Sequence, residues 1–157
     1  MPILYIMCGP SGCGKTTWAD NFMRNNDEDI RYVSRDEIRF SIIKSDEPYF
    51  SHEDEVFKKF VGTIAQTLVD GFDVIADATH LNYFSRKKLT RAIDAVISDY
   101  KIVYVVFDND VNGCIERNEH RIGRTRVPEE VIRSMCDNFE EPTWHEDPRV
   151  IDIIMIM

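Results

Sequence analysis

The sequence predicts an α/β fold: a parallel sheet of about five strands, helices on both faces, and an arginine-bearing lid near residues 117–130. Three observations carry that expectation. Short apolar runs alternate with helix-period segments along the whole chain. A glycine-rich stretch occupies the first strand-to-helix junction, and polar residues recur directly after the apolar runs, at the strand ends where ligands bind in such sheets.

Ile3 to Met7 is an apolar run of strand length, and a helix is expected over Thr17 to Met23. Between them Gly9-Pro10-Ser11-Gly12-Cys13-Gly14-Lys15-Thr16-Thr17 satisfies G-x-x-x-x-G-K-[ST]. A chain that turns its backbone N–H groups around phosphates needs glycine dihedrals and no Cβ in the way, and the helix behind it points its positive end at the anion. This is read as a phosphate-binding loop. Lys15 reaches the β- and γ-phosphates of ATP or another nucleoside triphosphate, and Thr16 offers its hydroxyl to magnesium. A glycine-rich turn with a solvated lysine, the bland competitor, would not require every fixed position to be filled.

Ile30 to Val33 is a second strand, and Ser34 with Glu37 reads as a capping box opening a helix near Arg35, with Ile38, Ile42 and Ile43 inward. Residues 44–50 form a loop. Ser51 is placed as the cap of a longer helix that ends at Gly71, with Val56, Phe60, Ile64, Leu68 and Val69 at helical spacing. Phe72 to Ala76 is a third strand. A fourth helix follows, with Leu89, Ile93, Val96 and Ile97 on its buried side. Lys101 to Phe107 is a β-branched and aromatic run suited to a strand covered on both faces. Val111 to about Arg121 is helical, Pro128 opens another helix at its first position, residues 142–148 are loop, and Val150 to Met157 is a last strand. No repeat or linker divides the chain, so residues 1–157 are expected to form one domain.

Composition narrows the classes. The chain has 157 residues and 43% hydrophobic content, ordinary for a globular domain, and no run approaches the ~20 apolar residues of a membrane span. Its four cysteines, 8, 13, 114 and 136, show no metal-like spacing, and a reducing cytoplasm is the simplest setting. A net charge of −9 argues against a broad nucleic-acid surface, so any polynucleotide contact must be local. Two basic clusters stand out: Arg86, Lys87, Lys88 and Arg91 read as a solvated helix face, and Arg117, Arg121, Arg124 and Arg126 as something more.

The strand-end residues suggest a phosphoryl transfer. Asp36, in the first turn after the second strand, could orient an acceptor hydroxyl and take its proton; Arg39, three residues on and on the same face, could grip a phosphate of the acceptor. Arg121 first and Arg117 second are the candidates to stabilise the transferring phosphoryl from a mobile segment. Asp77 ends a strand and looks like an acid that holds magnesium or its waters, with Asp108 as a rival; Thr79 and His80 could bond phosphate or acceptor.

The segments Gly9 to Ala19, Ser34-Arg35-Asp36-Glu37-Ile38-Arg39, Thr79-His80-Leu81-Asn82, Arg117-Asn118-Glu119-His120-Arg121, Val127-Pro128 and Ile132-Arg133-Ser134-Met135, in this order, closely resemble the 5′-hydroxyl polynucleotide kinase domain of the phage end-healing type. The resemblance spans roughly residues 3–140. It implies a P-loop kinase in which Lys15 and Thr16 serve ATP and Mg²⁺, Asp36 is the general base, Arg39 holds the acceptor's 3′-phosphate, Arg121 is the lid arginine with Arg117 its neighbour, and Thr79 lies in the acceptor site. Implied partners are a 5′-hydroxyl DNA or RNA end, without the family's phosphatase half. The sequence departs in a longer lid, where Arg124 and Arg126 are extra, and in an acid, Asp77, two residues before the threonine. A related kinase of a nucleoside, modified base or other small-molecule acceptor is the second reading. A nucleotide switch is the third and weakest, because it needs no acceptor carboxylate paired with an arginine.

Overall fold

In a computed structural model of the chain, residues 1–26 and 29–156 are described; Met157, expected to end the last strand, and the Arg124 side chain lie outside the described residues. Five strands form one parallel sheet: β1 (Ile3–Cys8), β2 (Ile30–Ser34), β3 (Asp73–Asp77), β4 (Lys101–Phe107) and β5 (Val150–Ile156), in the order β2-β3-β1-β4-β5. Six α-helices connect them: α1 (Lys15–Asn25), α2 (Arg35–Ile42), α3 (Glu53–Val69), α4 (Tyr83–Asp94), α5 (Val111–Glu119) and α6 (Glu129–Asp137). The expected α/β architecture is the one observed.

Alternation along the strands divides the core. Leu4, Ile6 and Cys8 of β1 join Val74, Ala76, Tyr104 and Val106 beneath α3 and α4, packed against Phe60, Ile64, Leu68, Leu89 and Ile93. Met7 of β1 faces the other way, with Ile75, Val103, Val105 and Phe107 under Ala19, Trp18 and Phe22 of α1. Fully burying each such aliphatic or aromatic side chain contributes about 1.5–3 kcal/mol, so the two layers pin the sheet and fix where its strand ends lie. A third cluster, Cys114, Ile115 and Ile132, ties α5 to α6.

Several boundaries differ from expectation, each for a local reason. α1 starts at Lys15, not Thr17, because Gly14 at φ +95° supplies the turn directly before it. The Ser34 cap is half a box: its hydroxyl accepts from the Glu37 N–H at 3.2 Å, with no return bond from the Glu37 side chain. Ser51 does not cap α3; its hydroxyl donates to the Pro48 carbonyl at 2.7 Å, and His52 takes the cap position. Pro128 sits at the N-cap of α6, one place earlier than expected. Val69 and Val96 are exposed, lying at and beyond the ends of α3 and α4, where the helical stripe has left the core.

Candidate active site

At the carboxyl ends of the strands the loop after β1, the start of α2, the segment after β3 and the connection from α5 to α6 surround a cleft of about 1070 Å³. The wall formed by the loop after β1 is made mostly of backbone. Gly12 has φ +82°, and a Cβ there would stand 2.6 Å from the Cys114 carbonyl oxygen, so α5 can approach the loop only over a glycine. The Lys15 ammonium folds across the loop and donates to the carbonyls of Gly9 at 3.1 Å and Pro10 at 2.9 Å. Ser11, Gly12, Gly14, Lys15, Thr16 and Thr17 line the cleft; Gly9, Pro10 and Cys13 complete the loop beneath it.

Asp77, the last residue of β3, is buried at the cleft floor and accepts a hydrogen bond from the Tyr32 hydroxyl of β2. Burial raises its pKa above the ordinary carboxylate value, with Lys15 opposing, while burial first and Asp77 second push the Tyr32 phenol well up. Asp108 is exposed and does not line the cleft, so of the two rival acids only Asp77 lines it together with the phosphate loop. The Thr16 hydroxyl and one carboxylate are hard oxygen donors, and no cluster of three or more His, Cys, Asp or Glu side chains could hold a metal among the described residues. Such a sparse set suits Mg²⁺, which keeps its waters and takes one or two carboxylates plus substrate phosphates.

Arg117, on α5, donates through Nε to the Gly12 carbonyl. Arg121 lies beyond the end of α5, in the turn, and lines the cleft with an Nη1 bond of 3.3 Å to the Thr125 carbonyl. Buried Asn118 closes this segment: its amide donates to the Val127 carbonyl at 2.6 Å and its oxygen accepts from the Val127 N–H at 2.9 Å. Those two bonds make residues 118–127 a clamped loop carrying Arg121 and Arg126 over the cleft.

The wall facing the loop, around Asp36, is a ring of side chains. Asp36 is exposed over 55% of its side chain, and its Oδ1 accepts from both the Arg39 guanidinium and the Tyr49 hydroxyl. Arg39, only 5% exposed, also donates to Glu53, from Nε at 2.9 Å and Nη2 at 3.1 Å. Arg35 reaches the same Glu53 at 3.0 Å. Nothing in the spacing of Tyr49 and Glu53 ties them to Asp36; Tyr49 lies in the segment expected as a loop, and Glu53 carries no motif. Thr79 lines the cleft, and its carbonyl accepts from the Gly9 N–H at 2.9 Å.

The floor between the two sides corrects one expectation: His80, expected with Thr79 to bond a phosphate or the acceptor, is turned into the protein instead. His80, at φ +42°, is buried, donates from Nδ1 to the Met7 carbonyl at 2.7 Å, and has its pKa lowered to about 4, chiefly by burial. Arg86, expected on a solvated face, is 1% exposed: it donates to the His80 carbonyl at 2.9 Å and makes a two-bond pair with Glu146 at 2.9 Å each. Its partner stands 60 residues away, which is why the charge cluster 86–91 looked like surface.

Parallel sheet, glycine loop with its lysine, floor acid and arginine-bearing cover define a P-loop kinase, a nucleotide-binding phosphotransferase scaffold. The chain belongs to the AAA domain family, whose model (AAA_33) matches residues 4–142. Among solved structures, a chain of the Pnkp1/Rnl/Hen1 RNA repair complex is 24% identical with a TM-score of 0.74, over 87% of this chain and 43% of that one. A second Pnkp1/Rnl/Hen1 structure is 27% identical with a TM-score of 0.63, over 78% and 40%. An unliganded sugar kinase from Janibacter sp. is 18% identical with a TM-score of 0.66, over 97% and 85%. The chain thus spans under half the length of the first two, and the likeness to them holds at the level of fold. No curated protein matches the sequence. Among the described residues no helix is long and apolar enough to cross a membrane.

Proposed function

We propose that this chain transfers the γ-phosphate of ATP, or of another nucleoside triphosphate, to the 5′-hydroxyl end of a DNA or RNA strand. The observation that carries the reading is that Lys15 and Thr16 share one cleft with an exposed aspartate whose carboxylate is aimed by two donors. Phosphoryl transfer has a loose transition state, so positioning and charge stabilisation supply most of its rate. Lys15 leaves the Gly9 and Pro10 carbonyls for the β- and γ-phosphates, while the amides of residues 9–17 cradle them. Arg39 and Tyr49 hold Oδ1 of Asp36, leaving Oδ2 for the acceptor hydroxyl, whose proton it takes as the bond to phosphorus forms. Arg121, swung inward with its loop, and Arg117 stabilise the charge on the transferring phosphoryl. Mg²⁺, held through Thr16 and Asp77, would neutralise β- and γ-oxygen charge when bound. Thr79 and Arg39 complete the acceptor wall.

A small-molecule acceptor is the second reading, supported by the −9 net charge and by the sugar kinase, whose chain this one matches over 85% of its length. Labelled ATP with Mg²⁺, offered a 5′-hydroxyl oligonucleotide, a 3′-nucleoside monophosphate, a free nucleoside and a panel of sugars, separates the two. Label on the oligonucleotide and the monophosphate supports the first; label on sugars alone rejects it.

A further inference from the structure

Arg39 is poorly placed to grip an arriving anion. Its nitrogens are already engaged by Glu53, Asp36 and Tyr49, and the side chain is almost wholly enclosed. Arg35, one turn earlier and lining the same cleft, is in the opposite state. It makes one bond of 3.0 Å to Glu53, and its Nε is the single buried side-chain nitrogen or oxygen without a partner among the described residues. A buried guanidinium N–H without an acceptor is a liability, and it marks Arg35 as the less satisfied of the two arginines.

Lys88 of α4 brings a second cation to the same place. Its Nζ lies 4.5 Å from the centre of the Phe57 ring, and the Arg35 Cζ lies 5.4 Å from that same ring. Lys88 has no carboxylate partner among the described residues, and Arg35 shares its only one with Arg39. This corner is therefore locally positive in a chain of net charge −9. Phe84 stands four residues before Lys88 on the same face of α4 and is 76% exposed while lining the cleft. An aromatic ring left in water one helical turn from Lys88, on the wall of the cleft, is a surface on which a flat base can stack.

We infer that Arg35 and Lys88 form a phosphate subsite, and Phe84 a stacking surface for the base, of the nucleotide that presents its hydroxyl to Asp36. This rests on the polynucleotide reading above and gives the phosphate a holder other than Arg39. Arg35 contributes a planar fork of N–H donors and Lys88 a point charge; a sugar without phosphate would leave both unanswered.

The test uses the protein loaded with a non-hydrolysable ATP analogue, titrated with adenosine 3′-monophosphate and with adenosine. The wild type binds the nucleotide about tenfold or more tighter, the size of one charge-assisted hydrogen bond. Lys88→Ala removes most of that preference, and Arg35→Lys, which keeps the charge and the Glu53 partner but loses the fork, removes part of it. In both, adenosine and analogue affinities stay as in the wild type. Phe84→Ala weakens nucleotide and nucleoside alike, by about tenfold. Equal binding of the two ligands by the wild type, or an unchanged preference in Lys88→Ala, overturns the subsite. Should neither adenosine compound bind, inorganic phosphate decides: phosphate binding lost in Lys88→Ala keeps the subsite and rejects the polynucleotide reading, whereas phosphate binding indifferent to Lys88 rejects the subsite itself.

Discussion

The two walls of the cleft are built from different material. On the donor side the contacts come from backbone: loop carbonyls at Gly9, Pro10 and Gly12, a positive-φ glycine at 14, and a helix N-terminus, all within residues 9–17. On the acceptor side Asp36 is held by side chains from three segments, Arg39, Tyr49 and, behind them, Glu53. Backbone recognises what every nucleoside triphosphate shares, so the donor wall is generic. A side-chain ring can be rebuilt one residue at a time, and under the proposed function it is the wall that chooses the alcohol.

If that division is right, damage to the walls separates by ligand. The largest effect belongs to the cover above the donor: Arg121→Ala lowers the transfer rate by about 10³- to 10⁵-fold, the range for such arginines, with a much smaller change in acceptor affinity. Single-turnover kinetics with saturating acceptor measure it; a loss below tenfold would remove Arg121 from the transition state. Asp36→Asn comes next, at about 10²- to 10⁴-fold in rate with ATP affinity close to wild type. Lost ATP binding in that variant would break the comparison, because an acceptor-side residue would then be serving the donor.

A third effect tests the floor that both walls share, where the Met7 and His80 carbonyls are spanned by His80 and Arg86. The folded protein holds the His80 pKa at about 4, below its ordinary value near 6.5, mainly through burial. As pH falls the unfolded chain takes that proton first, so the stability present above about pH 6.5 declines steadily toward pH 4, by about 3 kcal/mol in total. Denaturant titrations across this window should show the slope, and His80→Asn, which tolerates a positive φ and does not titrate, should flatten it. Within the same window donor and acceptor affinities should fall together, since the segment holding Thr79 to Gly9 belongs to both walls.

How much could be read beforehand follows the same line. Residues 9–17 were legible because a phosphate cradle is encoded locally, and β4 was legible to the residue because a strand covered on both faces has no polar positions to blur it. Asp36 was legible from its strand-end position. Its orienting partners were not: the Tyr49 hydroxyl and Glu53 carboxylate reach it across 13 and, through Arg39, 14 residues of chain, a separation that no helical or strand period marks. Arg86 misled in the opposite direction. A basic run on a helix looks solvated until a carboxylate 60 residues further along the chain, Glu146, is seen to pair with Arg86. The lid arginines were legible as a cluster, but Asn118, which shapes their loop through two bonds to Val127, carried no charge or period to announce it.

The smallest expected effect concerns salt. Counterion release gives a slope of about −0.7 per neutralised phosphate for single strands, so a long basic groove would show a steep dependence of oligonucleotide affinity on ionic strength. The acceptor wall cannot produce one. Asp36 and Glu53 answer Arg39, Glu53 is shared with Arg35, and Lys88 is the further cation, while the chain as a whole carries −9. Cations for about two phosphates, or three with Arg126 at the cleft edge, predict a slope between about −1.4 and −2.1. Lys88→Ala should lower that slope by roughly one phosphate's worth, about 0.7, whereas Arg121→Ala, acting above the donor, should leave it close to the wild-type value. A slope several times steeper, or one that responds to Arg121 and not to Lys88, would move polynucleotide binding off the acceptor wall and onto a surface outside the cleft.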